Sequence, residues 1–366
     1  MAYGQAQSVP DTVDASDKEN PFSVPEGTVE ELLQFINKVK QIPPTERTRA
    51  AIVAHLKLQV TAVNQALTRI EKTEPDDGLQ VRILAERLAG FSVLQQVDEQ
   101  AAKQLEALLV KHAQDDRPEI KAMVGSYRLE QQARHFPSLS SAQRKAYVDR
   151  LFQHINDAGL DQRSLGVATS LSELLESSTE LELGATVNER LAAVFEKMNR
   201  PEIQPNIDRL KAIARRFRLP GNPIRVLGSA VDGSDFDWKS YRGKYVLIDF
   251  WASWCGPCRA EIPNMKAQQK RYSTDDFAIV GINLDQTLDD CQKYVEREEL
   301  PWVNLMSQDA QQRGWDNPMA VYYGISGIPT AILVDREGRV ISMQARGEEL
   351  NRLLESLLGK PETDDQ

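Results

Sequence analysis

Tyr245-Val246-Leu247-Ile248-Asp249-Phe250-Trp251-Ala252-Ser253-Trp254-Cys255-Gly256-Pro257-Cys258-Arg259 decides how the second half of this chain is read. The run Tyr245–Trp251 is apolar except for one acid, which predicts a strand covered on both faces. The two cysteines follow at the spacing of a redox dithiol leaving a strand and entering a helix. Two intervening residues let one helical turn bring the sulfurs within bonding reach, and Gly256 and Pro257 shape the helix start. The partial positive charge of a helix N-terminus favours the thiolate of Cys255, and thiolate is the attacking species in disulfide exchange. That reading makes Cys255 the nucleophile at an exposed helix start and Cys258, one turn further in, the more buried resolving thiol.

Working outward, strands are expected at 224–229 and 234–238, flanking the hairpin signal Asp232-Gly233. Another buried strand is expected at 277–283, followed by a helix at 287–298 and a short extra strand at 302–306. Residues 330–334 and 339–343 read as a hairpin around Arg336-Glu337-Gly338, and 348–358 as an amphipathic closing helix. This order describes an α/β sandwich with a mixed sheet.

Residues 27–217 carry a helical pattern throughout. Thr28 with Glu31 is a capping-box signature, and Leu32, Leu33, Phe35, Ile36 and Val39 form one apolar face. Pro43-Pro44-Thr45 is read as the break that starts the next helix. Further helices are expected at 78–113, 117–135, 139–158, 161–177, 184–199 and 201–217. The fold class is therefore two domains: an all-α bundle or irregular array over 26–218, then an α/β domain over 222–360. Residues 1–25 are polar, acidic and without apolar periodicity, so they read as disordered, and 361–366 as a tail.

The chain has 366 residues, 41% hydrophobic and 27% charged, enough for more than one packed core. A net charge of −10 argues against nucleic acid and against a cationic membrane surface. Three cysteines are too few for a disulfide scaffold, so a lone CxxC pair reads as catalytic. Cys291 reads as a free thiol partly buried on a helix. One CxxC without histidine nearby falls short of a zinc site, and Arg259 stands where haem attachment requires histidine. No metal and no cofactor beyond the redox-active Cys255–Cys258 pair is expected.

The pattern from Leu247 to Arg259, with Ala260-Glu261-Ile262-Pro263 after it and Gly327-Ile328-Pro329-Thr330 downstream, resembles the active-site signature of thioredoxin. It is similar in particular to the TlpA/ResA-type thiol–disulfide oxidoreductases, over about residues 222–360. A helical region preceding such a domain resembles multidomain members of that group. The resemblance implies a reductase of protein disulfides, re-reduced by an upstream thiol donor. It implies that Asp249 exchanges a proton with Cys258; the bland alternative is a carboxylate paired with a lysine. Glu261 either tunes the thiols or is an ordinary first-turn acid. Pro329 is expected to be cis, opposite the dithiol, with the Ile328 backbone pairing with substrate and Trp254, Gly256 and Pro257 around the sulfurs. Pro263 is expected to kink the helix.

Two other functions compete. A peroxiredoxin-like antioxidant would carry Thr or Ser three positions before its reactive cysteine, where this chain has Ala252. A scaffold protein could use the domain only for docking, and the helical region is a candidate docking surface in either case. The first residues are polar with no apolar signal core, which fits either a cytoplasmic protein or one whose signal was trimmed; the resemblance to TlpA/ResA-type members implies the bacterial cell envelope as the favoured location, with a cytoplasmic one as the alternative.

Overall fold

A computed structural model describes residues 20–360 except Ser177. The expectations for 1–19 and for the tail 361–366 lie outside the described residues. Within 20–25 the expectation of disorder is corrected: Phe22 and Val24 pack on the first helices, and the Phe22 ring meets His55 edge-on at 5.5 Å.

The chain divides into two compact units, Met1–Arg128 and Leu129–Gln366, so the division falls inside the helical region. The first unit holds α1 (Val29–Gln41), α2 (Arg49–Glu71), α3 (Asp77–Leu94), α4 (Glu99–Lys111) and most of α5 (Pro118–Ala133). The Thr28–Glu31 capping box is formed, and Leu32, Ile36 and Val39 bury against Val63, Leu67 and Ile70. Two helix boundaries depart from the sequence reading. The second helix begins after its cap Thr48, whose hydroxyl accepts the Ala51 N–H, and not at Thr45. The single helix expected over 78–113 is two, because Asp98 caps a new start by accepting the Ala101 N–H.

The second unit begins with α6 (Ser141–Ala158), α7 (Gln162–Glu176), α8 (Leu181–Lys197) and α9 (Gln204–Phe217) around a core that includes Tyr147, Leu151, Phe152, Leu171, Leu191 and Phe217. Phe217 lies against Gly184, where any Cβ would come within 2.4 Å of the ring.

The sheet follows. Its strands are β1 (Ser229–Ala230), β2 (Tyr245–Trp251), β3 (Phe277–Asn283), β4 (Val303–Met306), β5 (Thr330–Val334) and β6 (Val340–Ser342), in the order β1-β4-β3-β2-β5-β6. β2, β3 and β4 are parallel, while β1, β5 and β6 run antiparallel to their neighbours. The helices are α10 (Gly256–Arg271), α11 (Leu288–Arg297), α12 (Pro318–Tyr323) and α13 (Gly347–Leu358). α12 carries no sequence expectation. Pro263 sits inside α10, which runs through it.

The leading hairpin is a correction. Residues 224–228 and 234–238 form no strand, and of the expected first strand only Ser229 belongs to the short β1, Ser229–Ala230, which pairs with β4. The Asp232 carboxylate accepts the Ser234 N–H and hydroxyl, closing a local turn, and the Val231 N–H donates to Asn304 on β4. An Asx-type turn thus takes the place of a two-strand ribbon.

Candidate active site

β2 is central, so its end carries the dithiol to the middle of one sheet edge. Cys255 and Cys258 are joined as a disulfide with Cα atoms 5.3 Å apart. Cys255 is the N-cap of α10, and its Sγ accepts the Cys258 amide N–H at 3.2 Å. The expected exposed position of Cys255 is corrected: it is 5% exposed and Cys258 2%, so both are buried. As N-cap, Cys255 turns its sulfur onto the first helical turn, where it accepts the Cys258 N–H. Trp254, Gly256 and Pro257 around it are exposed, Trp254 at 56%.

The loop before the dithiol is anchored from the next strand. The buried Asp285 carboxylate accepts the Ser253 N–H at 3.0 Å, the Ser253 hydroxyl at 2.9 Å and the Asn283 amide at 2.8 Å. Asn317, whose side chain caps α12, donates to the Asn283 carbonyl at 3.3 Å. Trp251 Nε1 donates to Asn304 Oδ1 at 3.0 Å, across a position where only Gly281 leaves room. Sequence reasoning missed Ser253, Asp285, Asn304 and Asn317. Their partners lie up to 53 residues away, and no local spacing marks them.

Asp249 is 6% exposed, with Gly281 and Ala331 as its cross-strand neighbours. No hydrogen bond or ion pair reaches its carboxyl among the described residues, so no lysine pairs with it there. Burial, reinforced by the negative charge of Glu261, pushes its pKa up to about 7, against the opposing charge of Arg346. Glu261 is half-buried on α10, and its Oε2 accepts the Gly347 N–H at 2.9 Å. The Ile328–Pro329 bond is cis. Thr330, at the start of β5, pairs with Phe250 near the end of β2, so the proline loop and the dithiol share one sheet edge. Arg346 Nη1 donates to the Pro329 carbonyl at 2.9 Å.

A mixed sheet with parallel β2–β4, antiparallel β5–β6 and a CxxC pair capping the helix after β2 defines a thioredoxin-like thiol–disulfide oxidoreductase. The Redoxin family matches residues 211–357. Over 130 residues the chain is 27% identical to "Thiol-disulfide oxidoreductase ResA" of Bacillus thuringiensis subsp. konkukian, covering 36% of this chain and 70% of that protein. It is 31% identical over 123 residues to "Thiol:disulfide interchange protein HelX" of Rhodobacter capsulatus, covering 34% and 63%. A solved thioredoxin domain of a thiol-disulfide oxidoreductase from Bacteroides vulgatus aligns at 28% identity with a TM-score of 0.35, covering 38% of this chain and 97% of that one. Residues 211–357 thus match the Redoxin family, and the C-terminal region is similar to the ResA and HelX thiol–disulfide oxidoreductases, which implies protein and thiol partners in general.

Proposed function

We propose that the protein reduces protein disulfides through a two-step exchange. The Cys255 thiolate attacks one sulfur of the substrate disulfide, forming the Cys255–substrate bond and releasing the other sulfur as thiolate. Cys258 gives its proton to Asp249 and attacks Cys255, expelling the second substrate thiolate. The substrate gains two electrons, and the Cys255–Cys258 pair gives them up. Asp249 returns its proton as the substrate thiols form. An upstream thiol donor then reduces the pair again.

The observation that carries this reading is the Cys258 N–H held on Cys255 Sγ at the N-terminus of α10, which supports negative charge on that sulfur. Trp254, Gly256 and Pro257 rim the sulfurs, and the Ile328 backbone offers hydrogen-bonding groups to an extended substrate beside Pro329. Glu261 acts on the site through the charge it places near Asp249. The reducing direction is supported by the Gly-Pro dipeptide of the thioredoxin signature, whose couple lies near −270 mV, an approximate reference value.

The test is turbidimetric reduction of insulin by dithiothreitol with the full chain, beside Cys255→Ser. Wild type should accelerate precipitation and Cys255→Ser should not. Equal rates would leave only a docking module. A measured potential near about −120 mV, that of a strong oxidant, would reverse the direction. We place the protein in the bacterial cell envelope, on the resemblance to TlpA/ResA-type members; fractionation of cells expressing the native gene checks this, and recovery in the cytoplasm overturns it.

A further inference from the structure

A groove of about 580 Å³ opens beside the cis-proline loop. One wall is that loop with Met343 and Gln344. The opposite wall is helical: Glu173 and Glu176 of α7, Leu181 of α8, Arg216 and Phe217 of α9. We infer that this groove holds an extended segment of the substrate polypeptide next to its reacting cysteine, so that the helices α7–α9 select the substrate. This rests on the oxidoreductase reading above and adds to it a specificity surface that the thioredoxin-like domain does not supply alone.

Position is the first argument. The groove begins at Ile328–Pro329, on the sheet edge that also carries the dithiol, so a chain whose cysteine reaches Cys255 continues along it. Its size falls within the range of about 300–1,000 Å³ that encloses small ligands, enough for a few side chains.

Unused backbone is the second. Neither the N–H nor the C=O of Ile328 has a hydrogen-bond partner among the described residues, although the side chain is half-buried. Extended peptides are recognised by such main-chain groups, with side-chain pockets giving specificity.

The helical wall is also fixed in place. Arg215 of α9 lies 3.9 Å over the Tyr322 ring of α12 and donates to the Tyr322 carbonyl, while Phe217 fills the space that Gly184 leaves.

Charge then selects the occupant. Arg216 is paired with Glu176 at 2.5 Å, and Arg346 is engaged by the Pro329 carbonyl. Glu173 is exposed and has no partner among the described residues. With Leu181, Phe217 and Met343 as the apolar part, the groove fits a segment with an apolar residue beside the cysteine and a lysine or arginine beyond it.

The experiment compares kcat/KM of the full chain on disulfide-linked peptides and on hydroxyethyl disulfide. The peptides carry leucine beside the cysteine and either lysine or glutamate two residues further. Wild type should prefer the lysine peptide by about two- to fivefold, the size of an exposed ion pair, and Glu173→Lys should reverse the preference. Gln344→Trp, at an exposed position, fills the groove and should lower the ratio of peptide to small-disulfide kcat/KM. An unchanged preference in Glu173→Lys together with an unchanged ratio in Gln344→Trp overturns the inference and leaves the oxidoreductase intact. Concentration-dependent dimerisation abolished by Gln344→Trp, with peptide reduction untouched, assigns the groove to a second copy and also overturns it. If wild type reduces neither substrate, the oxidoreductase reading has failed and this one fails with it.

Discussion

The Glu261 carboxylate on α10 accepts the Gly347 amide N–H that opens α13, at 2.9 Å. Its neighbour Arg346 reaches the other way, to the carbonyl of Pro329. One short junction therefore ties the dithiol helix to the proline loop, and both of its charged side chains act on Asp249 in opposite senses. The consequences can be measured.

Asp249 should govern the pH dependence of both stability and rate. Its folded pKa is raised from 3.8 to about 7, so the unfolded chain releases this proton first as pH rises. The folded state is penalised progressively between about pH 4 and pH 7, and the penalty is constant above. The full difference is up to about 4 kcal/mol. Urea unfolding of wild type against Asp249→Asn should show wild type losing stability across that window relative to the variant. A flat difference would show that Asp249 ionises normally. In turnover, Asp249→Asn should lose the rising limb near pH 7 and slow resolution by about tenfold or more.

Arg346→Ala removes the positive charge that opposes the rise of the Asp249 pKa. The limb assigned to Asp249 should then move above pH 7, and Arg346→Lys should restore much of it. A profile unmoved in Arg346→Ala would show that Arg346 acts only on the Pro329 carbonyl.

Cys291 is fully buried, and burial, helped by the nearby Asp285 charge, pushes its thiol well above the ordinary range. After reduction, iodoacetamide should label Cys255 first. Cys291 should react only when denaturant unfolds the domain, because alkylation needs an accessible thiolate. Mass mapping that found Cys291 modified alongside Cys255 in native protein would contradict its placement.

Gly184→Ala should destabilise the second unit by about 1–3 kcal/mol, since the added Cβ meets the Phe217 ring at 2.4 Å and that ring is packed into the core of the unit. Thermal unfolding measures this. A neutral substitution would mean that the Phe217 ring shifts to accommodate the added carbon.

Much of this was legible in the linear chain. β2 and β3 read as continuous apolar runs because parallel central strands bury both faces. Cys255, Cys258 and the odd acid at Asp249 stand out against that background. The strand Val303–Met306 and the hairpin of β5 and β6 were likewise readable. The helix boundary at Thr48 and the break before Asp98 were not, because caps compete locally and proline signals pointed elsewhere. The expected strand over 234–238 gave way to side-chain bonds of Asp232 that no periodicity reports.

Sequence alone determined the dithiol, its helix and the central strands, because each depends on residue type at short spacing: side-chain period, turn chemistry, the reach of one helical turn; the proline loop was expected only from the resemblance to the thioredoxin signature. Tertiary structure alone decided that Asp285 holds Ser253, that Glu261 and Arg346 both bear on Asp249, and that α7–α9 stand opposite Ile328 and Pro329. Those relationships join segments tens of residues apart, and their energies come from burial and from distance in space, which a linear pattern does not record.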